Sequence, residues 1–67
     1  MVWVKIKNNL INLDKCDKVV QEQNKIIFAG IGIFELESEE KAKKALEYLI
    51  IKLRTNSWFV DVDEVVK

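Results

Sequence analysis

The stretch Lys25-Ile26-Ile27-Phe28-Ala29-Gly30-Ile31-Gly32-Ile33-Phe34-Glu35-Leu36-Glu37 alternates in strand fashion and is apolar on both phases. Successive strand side chains point to opposite sides. Ile26, Phe28, Phe34 and Leu36 therefore share one face, and Ile27, Ala29, Ile31 and Ile33 share the other. A strand apolar on both faces is covered on both faces. Gly30 and Gly32 interrupt the Phe28 face, and glycine inside a strand marks a bulge, a bend or a close approach by a backbone or ligand. A phosphate-cradling loop needs further glycines at a strand-to-helix junction, and none follows. A bend or close packing is the simpler reading. A hairpin with its tip near Gly30 is the alternative.

Directly after this stretch the period changes. Ser38 is placed to cap a helix, accepting from the free amides of the first turn, and Glu39 and Glu40 suit the positive end of the helix dipole. Ala42, Ala45, Leu46, Leu49 and Leu53 recur at helical spacing, with Ile50 widening the stripe. Ile51 lies nearly opposite the stripe, beside Tyr48. Asn56 is suited to a left-handed helix end. Trp58, Val60 and Val62 then alternate with Phe59, Asp61 and Asp63, a short last strand or an extended tail.

Working back to the start, Val2, Val4 and Ile6 alternate with Trp3, Lys5 and Lys7, as in a half-buried strand. Asn8-Asn9 predicts a turn, and Leu10 to Leu13 a returning strand with Asn12 facing away from Ile11. Asp14 to Asp17 breaks the pattern, Val19-Val20 restores it, and Gln23-Asn24 is the next turn. The expected fold is α+β: a small antiparallel sheet of three to four strands, one amphipathic helix, then a short strand or tail, all in one domain over residues 1–67. One helix covers only one side of such a sheet. Ile27, Ile31 and Ile33, together with Ile51, are the expected interface with another layer, either a second copy or a foreign partner.

Composition narrows the classes. The 67 residues are 49% apolar, and a chain this short buries only about 60% of the surface its unfolded form exposes. Cys16 stands alone, so no internal disulfide forms, and the chain has no histidine. Without a staple or a zinc site, a partner chain is the remaining support, and a homo-oligomer is expected. Eleven basic residues balance 11 acidic ones, which argues against a nucleic-acid polymer as partner. The longest apolar run is far short of the roughly 20 residues that span a bilayer, and Met1 to Ile6 has no signal-peptide layout. No membrane association is expected, and the expected location is cytoplasmic.

No residue set carries a recognisable chemistry. Cys16 has no histidine to act as its base and reads as a small apolar filler. Asp14 and Asp17, and Asp61, Asp63 and Glu64, read as turn formers and polar strand faces rather than acid–base pairs, and they lack calcium-loop spacing. No metal, no cofactor and no catalysis are expected. The tryptophans are the least inert feature, since aromatics stack nucleobases as well as anchoring cores and interfaces.

Several of these segments together are similar to a group of short uncharacterised proteins from Gram-positive bacteria and their phages. The resemblance rests on Trp3-Val4-Lys5, on Leu10-Ile11-Asn12-Leu13-Asp14, and on Phe34-Glu35-Leu36-Glu37-Ser38-Glu39-Glu40-Lys41-Ala42. It continues through Ala45-Leu46-Glu47-Tyr48-Leu49-Ile50 and the aromatic tail Ser57-Trp58-Phe59-Val60. It implies no activity, but it does imply a phage or mobile-element setting, where small accessory proteins act by binding. The expected function is a non-enzymatic anti-defence protein that sequesters a nucleotide-like immune signal in an oligomer, with Trp3, Lys5, Lys7 and Trp58 as ligand contacts. Direct inhibition of a host protein and a purely structural or regulatory homo-oligomer are the alternatives.

Overall fold

The computed structural model describes residues 1–66. Strand β1 (Trp3–Ile6) and strand β2 (Asn9–Asn12) form an antiparallel hairpin with Val4 opposite Ile11. Its turn sits one residue earlier than the two asparagines predict. Lys7 (φ 48°) and Asn8 (φ 62°) are both left-handed, the geometry that matches the twist of a two-residue hairpin. Lysine adopts this backbone at a cost. The carboxylate of Asp63, far along the chain, accepts from both turn amides, Lys7 N at 2.6 Å and Asn8 N at 3.2 Å.

A single turn of 3-10 helix, Leu13–Lys15, follows, capped by the Asn12 side chain. It carries the chain away from the first hairpin into a three-stranded antiparallel meander: β3 (Val19–Glu22), β4 (Lys25–Phe28) and β5 (Gly32–Glu35). The decisive stretch is thus a hairpin, not one long strand. Its β-turn is closed by Ile31 N donating to Phe28 O at 2.9 Å, with Gly30 third in the turn at φ +86°. The three-residue loop Ala29–Ile31 is odd in length, so the in–out phase survives the reversal: Phe28 pairs with Gly32, Ile27 with Ile33, and Ile26 with Phe34. Ile26 and Phe28 are buried, and the Phe28 and Phe34 rings meet edge to face at 5.6 Å. Ile27 and Ile33 lie on the opposite, outer face in a cross-strand row with Val20.

Helix α1 (Glu39–Arg54) starts where Ser38 Oγ accepts from Lys41 N at 3.2 Å. Its buried residues are Ala42, Ala45 and Leu49, and it packs on β3 and β4. Burial stops at Leu49. Ile50 and Leu53, expected in the apolar stripe, are exposed on the last turn. Ser57 N bonds to Lys52 O and Asn56 N to Leu53 O, with Asn56 left-handed at φ 59°; this pairing satisfies the last free carbonyls.

The tail forms a true strand. Strand β6 (Phe59–Asp61) pairs in parallel with β1, Val60 opposite Val4, and a short helix α2 (Val62–Val65) is capped by Asp61. The α+β class holds. Among the described residues the strands divide into two three-stranded sheets, ordered β2-β1-β6 and β3-β4-β5, rather than one antiparallel sheet. The break at Asp14–Asp17 separates the first hairpin from the meander, and the tail returns to complete the first sheet. One core joins both sheets and the helix: Val4, Ile6, Ile11, Ile26, Phe28, Leu36, Ala42, Ala45, Leu49, Val60 and Val62.

Candidate binding surface

Alternation in the first sheet sends Val4, Ile6, Ile11 and Val60 inward and leaves Trp3, Lys5, Leu10, Phe59 and Asp61 on the outer face. The apolar members of that outer set, with Trp58 from the approach to β6, line an open groove of about 380 Å³. Trp3 stands directly opposite Phe59 across the β1–β6 pair. Trp58 and Phe59 lie 5.8 Å apart with their rings tilted, and Trp3 N donates to Trp58 O at 2.8 Å, fixing the approach to β6. Trp58 is 72% exposed and Leu10 61% exposed. Large apolar side chains gathered and left open in this way mark contact surfaces on small soluble domains.

The four ligand contacts expected from the sequence are partly reunited. Trp3 and Trp58 line the same groove. Lys5 is next to Trp3 on the same strand face, where its Nζ lies 3.8 Å from the Asp63 carboxylate. Lys7 leaves the group: its Nζ reaches across to the other sheet and donates to Glu35 O at 2.8 Å. Leu10 and Phe59 were missing from that set. Leu10 falls on the polar phase of its strand, two residues before Asn12, and an apolar residue on the solvent phase was the available signal.

Of the four expected interface residues, Ile27 and Ile33 are neighbours on the outer face of the second sheet. Ile31 sits in the hairpin loop, and Ile51, 56% exposed, stands apart on α1. A second concavity, of about 440 Å³, is lined by Lys7, Glu35, Leu36, Glu37, Lys41 and Val66. Its cations are engaged, Lys7 with Glu35 O and Lys41 with Glu37 at 2.6 Å. The Lys41 hydrogen bond, and then its charge, holds the Glu37 carboxyl below its ordinary value.

The remaining chemistry-bearing side chains are in structural contacts. Cys16 Sγ donates to Lys18 O, Asp14 faces the N-terminal amine at 3.7 Å, and Asp61 and Asp63 cap α2 and the first hairpin. Among the described residues no group of three or more His, Cys, Asp or Glu is placed to hold a metal ion, and no helix is long and apolar enough to cross a membrane. No family model, curated protein or solved structure matches this chain.

Proposed function

We propose that this chain is a non-catalytic binding module that acts by protein contact through the groove formed by Trp3, Leu10, Trp58 and Phe59. The observation that carries it is the groove: four large apolar side chains, three from strands β1, β2 and β6 and Trp58 from the approach to β6, open to solvent and without a charged residue among them. Aromatic anchors of this kind dominate the energetics of protein interfaces. The phage or mobile-element setting implied by the resemblance makes a host defence protein the fitting class of target. The test is retention of a stoichiometric partner from Gram-positive host lysate on the immobilised chain. Trp58→Ala and Leu10→Glu should each release that partner while leaving the circular dichroism spectrum unchanged. A partner retained equally by all three proteins would refute the role of the groove.

A second reading, sequestration of a nucleotide-like signal, is favoured by one observation: Trp3 and Trp58 share the groove, as a stacking site requires. It ranks behind protein contact because a phosphorylated ligand needs cations. Lys5 is paired with Asp63 and Lys7 with Glu35 O. Calorimetric titration with cyclic oligonucleotides and ADP-ribose should give no heat if protein contact is the role, and stoichiometric heat would reverse the ranking.

A further inference from the structure

We propose that the free edge of β5 is the seam of a homodimer, in which β5 pairs antiparallel with β5 of a second copy, Ile33 opposite the partner's Ile33. This goes beyond the groove, which lies on the other sheet. Among the described residues no strand lies beyond β5. Exposed edges are ordinarily guarded by lysine, proline, a bulge or a covering element. This edge, Gly32-Ile33-Phe34-Glu35, has no lysine or proline of its own, its pairing with β4 runs without a bulge, and its only charge is at the end. The single lysine that touches it, Lys7 from the other sheet, covers only the Glu35 carbonyl.

The hydrogen-bond phase shows which backbone groups are open. Leu36 N donates to Asn24 O at 2.7 Å, so the 24–36 pair is a hydrogen-bonded one. Such pairs alternate along an antiparallel ladder, and with Ile26 opposite Phe34 and Phe28 opposite Gly32, residues 32 and 34 turn their backbone groups to β4. Ile33 and Glu35 turn theirs to the free edge. Three registers set Ile33 or Glu35 of one copy opposite Ile33 or Glu35 of the other. Glu35 opposite the partner's Glu35 brings two like charges and two occupied carbonyls together, and Lys7 chooses between the remaining two. Its Nζ already occupies the edge-facing carbonyl of Glu35. With Ile33 opposite the partner's Glu35, that carbonyl would have to accept from the partner's Ile33 N. With Ile33 opposite the partner's Ile33, it is not needed: the residue facing Glu35 is then the partner's Ile31, whose N–H is already spent on Phe28 O in the turn. The bonds formed are Ile33 N–H to the partner's Ile33 C=O, Glu35 N–H to the partner's Ile31 C=O, and their symmetric equivalents.

The side chains agree with that register. On the outer face, the row Val20, Ile27, Ile33 continues into the same row of the second copy, and Ile33, 62% exposed, becomes its centre. On the inner face, Gly32 falls opposite the partner's Phe34. A Cβ built on Gly32 meets nothing within 4 Å, so there is room for an aromatic ring over the glycine, an arrangement that supports glycine at strand edges. Glu35 faces no like charge. The two meanders then make one six-stranded sheet, three strands from each copy, with a two-fold axis at Ile33. Edge pairing of this kind lengthens the outer apolar row and buries the flank of Ile33, but it does not lay a second layer over Ile27.

Sedimentation equilibrium of the full chain tests the seam. A dimer is expected, with a dissociation constant of about 1–100 µM, as suits a small interface. Ile33→Lys should weaken it by at least about 10-fold, as an outward edge lysine does, with an unchanged circular dichroism spectrum. Ile51→Lys and Trp58→Ala should leave it intact. In a Cys16→Ser background, Ile33→Cys should crosslink to its own copy under mild oxidation, because directly opposed hydrogen-bonded residues lie about 5.5 Å apart, within disulfide reach. Ile51→Cys should not. A chain that stays monomeric at several hundred micromolar, or a dimer that Ile33→Lys leaves intact, overturns the proposal. Loss of the lysate partner with Trp58→Ala, read separately, reports only on the groove.

Discussion

Gly30 and Gly32 are two residues apart and have different reasons to be glycine. Gly30 holds φ +86°, where any Cβ strains the backbone. Gly32 is extended, with open space where its Cβ would be. Gly30→Ala should therefore cost about 1–2 kcal/mol in urea unfolding at low protein concentration, whereas Gly32→Ala should cost nothing and gain slightly from reduced chain entropy. Equal losses at the two sites would remove the left-handed turn as the cause. A second residue-scale effect follows from Lys41 beside Glu37. The folded pKa of Glu37 lies below its ordinary 4.5 because Lys41 donates to it and attracts its charge. A depressed carboxyl pKa adds stability that is present above the unfolded value and is lost as pH falls through the folded one. Carboxyl NMR should thus place the Glu37 midpoint below 4.5, and Lys41→Met should return it to the ordinary value.

Between elements, Asp63 is the tie. From α2 it accepts both amides of the strained β1–β2 turn and lies near Lys5, so it joins the first hairpin to the last helix. Asp63→Ala should cost about 2 kcal/mol, because two turn amides lose a charged acceptor. Lys5→Met should cost under about 1 kcal/mol, as exposed ion pairs do; a larger loss at Lys5 than at Asp63 would contradict the tie. Such long-range contacts mark where reading by period stops. Ser38, the Ala42–Ala45–Leu49 stripe and left-handed Asn56 were legible because caps and helical faces are local. The alternation of Lys25 to Glu37 also predicted the correct faces, because an odd loop preserves phase. What local pattern could not specify was pairing. The division into two sheets, the one-residue shift of the first turn towards Lys7, and the parallel docking of β6 depend on contacts such as Lys7 N to Asp63, far apart in sequence. The groove shared this fate: Trp3 and Trp58 were visible as aromatics, but Leu10 and Phe59 joined them only through cross-strand register, and Lys7 left for the same reason.

Across the whole molecule, the last strand closes the fold that the first one opens. Strand β6 is short, yet Val60 is fully buried and Val62 nearly so, and both belong to the common core with Val4 and Phe28. Without β6 and α2, one edge of β1 is unpaired, the Lys7–Asn8 turn loses Asp63, and the core loses two aliphatic side chains, each worth about 1.5–3 kcal/mol when buried. Net stability in a domain of this size is only a few kcal/mol. Local helix and hairpin signals cannot offset that loss, since isolated hairpins and single helices are marginal in water. A chain ending at Ser57 should therefore be unfolded, with collapsed amide dispersion in proton–nitrogen NMR and a far-ultraviolet spectrum lacking the α1 signal. Adding residues 58–66 as a separate peptide should restore dispersion at high concentration, because β6 docks by backbone pairing and two buried valines rather than by covalent continuity. A truncated chain that keeps native dispersion by itself would mean that the second sheet and α1 form a sufficient core, and that the parallel strand serves only to present the aromatic groove.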